Sequence, residues 1–143
     1  MDLLDRARTL ASCSLFESLA PAALIRLAER ARTSELARGE RRTTEDTVWV
    51  VAAGSLAVVV HDPGVDMTAS VMRKRGAPAT AGNALGAIRV VRPMTPIVEV
   101  VADEPSTLVG LGIDDVRDVL EEDPAALMAL AERLAKLLLN EVT

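Results

Sequence analysis

The hydrophobic period of this chain changes twice, and the change restricts its fold more than any other feature. At the start, Leu3, Ala7, Leu10 and Ala11 recur at helical spacing, which predicts a helix over residues 2–12. Leu24, Leu27, Ala28 and Ala31 repeat the pattern behind Pro21, a residue suited to the first turn of a helix. From Thr33 to Leu111 the pattern shortens. Thr47–Ala52 and Leu56–His61 are β-branched runs separated by Gly54, and they read as a hairpin. Thr68–Lys74 alternates as a half-buried strand would, and residues 77–82 read as a loop. Ile97–Val101 and Thr107–Leu111 are further strands, with Asp103-Glu104-Pro105-Ser106 turning between them. Short strands this closely spaced, with no long helix among them, predict an antiparallel barrel or roll.

After the strands the helical period returns. Asp114 is placed to cap a helix running to about Glu121, and Asp123-Pro124 is a strong start for a last one. In that last helix Leu127, Leu130, Leu134, Leu137 and Leu138 fall at heptad positions, with Met128 and Leu139 on a second strip. So much apolar surface predicts a helix buried on two sides, the second against another copy of the chain. The expected fold is mainly β with flanking helices. N-terminal helices cover residues 1–31, a β-roll or jelly-roll-like barrel 33–112 and two C-terminal helices 114–140, all within one domain spanning 1–143.

Composition narrows the function by exclusion. The net charge of −5 argues against nucleic-acid binding by this domain alone, since a phosphate backbone needs a basic face. The clusters Arg38, Arg41, Arg42 and Arg73, Lys74, Arg75 read as solvated turns. Phe16 and Trp49 are the only aromatic residues, so base-stacking platforms are missing and the core must be aliphatic. His61 is the one histidine, too few for a metal site in a barrel. Cys13, the one cysteine, forms no disulfide framework and reads as a small buried hydrophobe in a reducing cytoplasm. The first residues lack the basic head and apolar core of a signal peptide, and no run approaches the ~20 apolar residues of a membrane span. No cofactor, no metal and no catalysis are expected.

The order of elements resembles the cyclic-nucleotide-binding domain, and several residues carry the resemblance. Leu15-Phe16 followed by Leu19-Ala20-Pro21 is similar to that family's opening. Gly39-Glu40 matches its first turn, and Val48-Trp49-Val50-Val51 with Gly54 matches a strand and the glycine after it. Leu108–Val119 is similar to the last strand and the helix that follows. The resemblance implies a phosphate-binding cassette at Leu85-Gly86. In the family a helix start and an arginine hold the cyclic phosphate, and a glutamate holds the ribose hydroxyl.

By the same resemblance the pocket positions are Gly86, Ala87, Ile88, Arg92, Met94 and Thr95. Ala87 stands at the glutamate and Met94 at the arginine, while Arg89 occupies a position that is normally small. Only Arg92 separates Val91 from Pro93, so the loop is short. Losing a charge-assisted phosphate contact commonly costs about 1.5–3 kcal/mol. The expectation is therefore a non-catalytic regulatory or interaction module in the cytoplasm that no longer grips cAMP or cGMP. It would work as a homodimer through the last helix, with a protein partner or within a larger parent chain. The alternative is a sensor of a cyclic nucleotide or other small anion whose pocket is remodelled around Arg92, with Thr95 beside it. The chain ends at Thr143, too soon after the last helix for a DNA-binding module of its own.

Overall fold

Asp2 and Asp5 start the first helix. The Asp5 amide donates to the Asp2 carboxylate at 2.8 Å and the Asp2 amide to the Asp5 carboxylate at 3.3 Å, a reciprocal cap for α1 (Leu3–Ser12). The computed structural model describes residues 1–61, 73–74, 78–90 and 97–142, and of residues 60, 61, 73, 74 and 137–142 it describes the backbone. α1 buries Ala7 and Leu10, while Leu3 and Ala11 of the expected stripe stay at the surface, because α1 meets the body along one narrow face. α2 (Pro21–Arg30) begins at Pro21 as expected, with Ala20 offering no side-chain cap. Arg6 ties the two helices together, its Nε donating to the Ala28 carbonyl at 3.0 Å.

The strands among the described residues are β1 (Arg32–Leu36), β2 (Arg41–Thr43), β3 (Thr47–Ala53), β4 (Ser55–His61), β5 (Arg73–Lys74), β6 (Ala79–Thr80), β7 (Ala84–Leu85), β8 (Ile97–Ala102) and β9 (Ser106–Gly112). They form two antiparallel sheets. One runs β1-β9-β3-β7; the other runs β2-β8-β4-β5, with β6 also on β4. The sequence pattern does not announce β1, β2, β6 or β7. They are two to five residues long, too short to set up a period. The expected loop over 77–82 contains β6, which pairs Ala79 with Leu56. Of the strand expected over 68–74, only its last two residues lie among those described, and they pair with β4.

The expected hairpin of β3 with β4 is corrected. β3 pairs with β9 and β7, β4 pairs with β8, β5 and β6, and the two strands lie in different sheets. Gly54, at φ +103°, carries the chain from one sheet to the other. A Cβ there would lie 2.1 Å from the Ser106 hydroxyl and 2.7 Å from the Ser106 Cα, so the crossing needs glycine. The register of β3 on β9 also shifts between Val51 and Ala53, one residue before the crossing.

Alternation divides β3 and β9 between two cores. Trp49, Val51 and Leu108 point into the roll with Leu36, Leu56, Val58, Ala79, Val100 and Ala102. Val48, Val50, Val109 and Leu111 point outward to Phe16, Leu10, Leu27 and the helices. Phe16 is 1% exposed, and Cys13 lies in the same core, where burial pushes its thiol pKa up. This agrees with its reading as a buried small hydrophobe.

β9 runs straight into α3 (Ile113–Glu121), whose N-cap is Gly112 in place of the expected Asp114. The Ile113 amide is taken by the Asp46 carbonyl at 2.9 Å, so the helix starts earlier than expected and without a side-chain cap. Asp123 does cap α4 (Pro124–Val142), accepting the Ala126 amide at 3.2 Å. Arg26–Glu122 and Arg30–Asp118 bind α2 to α3, and Arg133 of α4 donates to the Ser14 carbonyl at 2.8 Å and pairs with Glu17.

Candidate functional site

The stretch singled out by the resemblance begins at the edge of the first sheet. β7 pairs there with β3, Leu85 opposite Trp49 and Ala84 opposite Val50. Leu85 lies against the roll interior and Ala84 against the helical core. Gly86 then turns the chain off the sheet at φ +83°, and a Cβ on it would sit 2.6 Å from Thr44 Cβ. Thr44 is fully buried. Its amide donates to the Val98 carbonyl and its hydroxyl accepts the Val98 amide, each at 2.9 Å. The glycine is required by this close approach as well as by the turn.

A 3-10 turn, Ala87–Val90, follows. Ala87 and Val90, each 7% exposed, belong to the helical core that contains Val116, Val119 and Leu120 of α3 and Leu130 of α4. Ile88 and Arg89 are half-buried. The position that the resemblance gives to a ribose-binding carboxylate thus holds a methyl group packed against helices. Two arginines brace the turn. Arg89 Nη2 donates to the Glu45 carbonyl at 3.2 Å. Arg117 of α3 donates through Nε to the Val90 carbonyl at 3.0 Å and through Nη2 to the Arg89 carbonyl at 3.2 Å. Arg92, Met94 and Thr95 lie outside the described residues.

Behind the turn, buried side chains of the described residues face the roll interior. Trp49 is 8% exposed, and its indole N–H donates to the Thr43 carbonyl at 2.8 Å, tying β3 to β2 across the roll. Its ring lies over Gly110, where a Cβ would come within 2.5 Å of the ring. Leu56, Val51, Val100 and Leu108 lie in the same core, each fully buried. A shallow groove of about 460 Å³ opens elsewhere, on the helical side of the first sheet, between Asp5 and Arg8 of α1 and Thr33, Glu35, Ala52 and Thr107. It shares no residue with the cassette turn.

The expected interface residues separate. Leu130 (1% exposed) and Leu134 (7%) are packed in the chain's own core, on the stripe that docks α4. Leu127 (38%) and Met128 (60%) remain at the surface. The side chains of Leu137 and Leu138 lie outside the described residues. Sequence reasoning missed Arg117 and Thr44. Both act through reach between elements distant in the sequence, and the one available signal was the place of Arg117 beside the apolar stripe Val116, Val119, Leu120.

No family model matches the sequence, and no curated protein does. Solved structures do match. The chain is similar to the sensor domain of the transcriptional regulator DNR from Pseudomonas aeruginosa, with a TM-score of 0.74 at 18% identity over 98% of this chain and 93% of that one. It is similar to the N-terminal domain of a transcriptional regulator from Streptomyces coelicolor A3(2), with a TM-score of 0.68 at 20% identity over 93% of this chain and 92% of that one. It is also similar to the regulatory domain of Toxoplasma gondii PKA, crystallised with cAMP, with a TM-score of 0.64 at 16% identity over 86% of this chain and 49% of that one. The fold is that of the cyclic-nucleotide-binding domains: an antiparallel β-roll with helices on its flank. Two of these neighbours are described as a sensor domain and a regulatory domain. No helix among the described residues is long and apolar enough to cross a membrane.

Proposed function

We propose that this chain is a non-catalytic regulatory or interaction module of the cyclic-nucleotide-binding fold that has lost the grip on cAMP and cGMP. The carrying observation is Ala87. Its side chain packs into the helical core at the position where the resemblance asks for a sugar-binding carboxylate. The turn around it is a four-residue 3-10 element whose end carbonyls are held by Arg117 of α3, so the chain itself anchors the turn. Gly86 is present, and its positive-φ turn together with the close approach of Thr44 requires a glycine there whether or not a ligand binds. Met94 at the arginine position supports the same reading from sequence.

The module works in the cytoplasm, as a homodimer and as part of a regulatory chain or complex. Support for the dimer is the exposed pair Leu127 and Met128 on α4, beside a stripe already buried in the monomer. Thermal unfolding with and without 1 mM cAMP or cGMP tests the ligand reading. A nucleotide bound with a Kd of 10 μM would stabilise the fold by about 2.7 kcal/mol at that excess. The expected shift is none. An upward shift in melting temperature with either nucleotide overturns the reading.

A further inference from the structure

We infer that Arg117 is a positioning residue that fixes the cassette turn onto α3 without any ligand, so that turn and C-terminal helices behave as one constitutive unit. The inference rests on the reading of the cassette as a structural element and adds the device that holds it. Two independent kinds of contact lead to it. On its inner side the turn contributes Ala87 and Val90 to the core that also holds Val116, Val119 and Leu120. On its other side the Arg117 guanidinium takes the last two carbonyls of the turn, Arg89 and Val90, at 3.2 and 3.0 Å. Those carbonyls are the acceptors that a helical turn leaves without internal partners, and a cation there also meets the negative end of the turn.

The fork geometry matters. Arg117 reaches the two carbonyls with different nitrogens of one planar group, so the position of one carbonyl fixes the other. Its third contact, to Asp114 one turn back on α3, is 3.7 Å long and made by a carboxylate side chain 96% exposed, so that ion pair orients the guanidinium weakly. Gly86 seats the start of the turn against Thr44, and Arg89 reaches the Glu45 carbonyl. Displacing the turn from the roll would therefore pull on α3, and α3 leads through Glu122 and Asp123 directly into α4.

Hydrogen exchange read by mass spectrometry on the full chain decides it, comparing the parent with Arg117→Met, Arg117→Lys and Asp114→Asn. Arg117→Met keeps the apolar stem and removes both donors. The expected result is exchange faster by about tenfold, confined to peptides covering 84–90 and α3, with the strands of the roll unchanged. Arg117→Lys, a point charge without the fork, should fall between it and the parent, and Asp114→Asn should match the parent. A merely structural loss would speed exchange everywhere, as a core truncation such as Val119→Ala should. If Arg117→Met exchanges as the parent does, or speeds uniformly, the inference fails. Should Arg117→Met not fold, Arg117→Lys decides by the same local-against-uniform criterion. Adding cAMP to the parent separates the two readings. Protection of 84–90 by cAMP would overturn the lost-ligand reading, while the Arg117 comparison is made without nucleotide and stands or falls separately.

Discussion

Gly54 and Gly86 solve the same local problem in two regions of the molecule. Each turns the chain at a strongly positive φ, +103° and +83°, and each leaves no room for a Cβ because a buried hydroxyl-bearing residue lies against it. At Gly54 the neighbour is Ser106 and the turn is scaffold, carrying the chain between the sheets. At Gly86 the neighbour is Thr44 and the turn opens the stretch that resembles a ligand cassette. The likeness teaches that close packing is enough to require glycine at either corner, so the glycine alone does not mark a ligand site. What distinguishes a ligand site from a scaffold corner must then come from the residues after the glycine. Here those residues are Ala87 and Val90 in the core and two carbonyls held by Arg117.

Ala87→Glu should have the largest effect. If the turn is scaffold, the new carboxylate enters an apolar core with no partner and costs roughly 3–5 kcal/mol. Calorimetric melting should fall by about 10 °C or more, with no gain in nucleotide affinity. A variant that melts with the parent and binds cAMP would place the side chain toward a ligand instead. Next come the glycines themselves. Gly54→Ala should cost about 3 kcal/mol, from a positive φ together with a clash on the Ser106 backbone, and Gly86→Ala about 2 kcal/mol, both from chemical denaturation. Equal costs with and without nucleotide keep Gly86 in the scaffold class. A smaller cost for Gly86→Ala coupled to altered ligand response would separate the two corners. The smallest effect on stability is at the surface of α4. Leu127→Glu with Met128→Glu should change unfolding free energy by about 0.5 kcal/mol or less, since both side chains are exposed. The same double variant should sediment as a monomer at tens of micromolar where the parent sediments as a dimer, and a monomeric parent refutes the dimer.

Legibility in the sequence follows the length over which a signal repeats. α2 and α4 are readable because Pro21, Asp123 and Pro124 punctuate long apolar stripes. β3, β4, β8 and β9 are readable as β-branched runs of six or seven residues. Their partners are not. β3 and β4 look like a hairpin on either side of Gly54, and nothing local says that the chain changes sheet there; the space taken by Ser106, far along the chain, decides it. The start of α3 is hidden for a similar reason, because the Asp46 carbonyl takes an amide that a local cap would otherwise serve.

At the candidate site the residue identities at Gly86 and Ala87 are legible, and the direction in which Ala87 points is not. Its burial depends on α3, and Arg117 reaches the turn from 27 residues away. On the last helix, sequence predicts two apolar strips. Only packing assigns Leu130 and Leu134 to the chain's own core and leaves Leu127 and Met128 outside.

The proposed module keeps the frame of a cyclic-nucleotide-binding fold and lacks the grip on cAMP and cGMP. Isothermal titration of the parent chain with cAMP, and separately with cGMP, to millimolar ligand tests it most directly. The expected result is dilution heats alone, with no saturable binding. A saturable isotherm with a micromolar Kd for either nucleotide would contradict it.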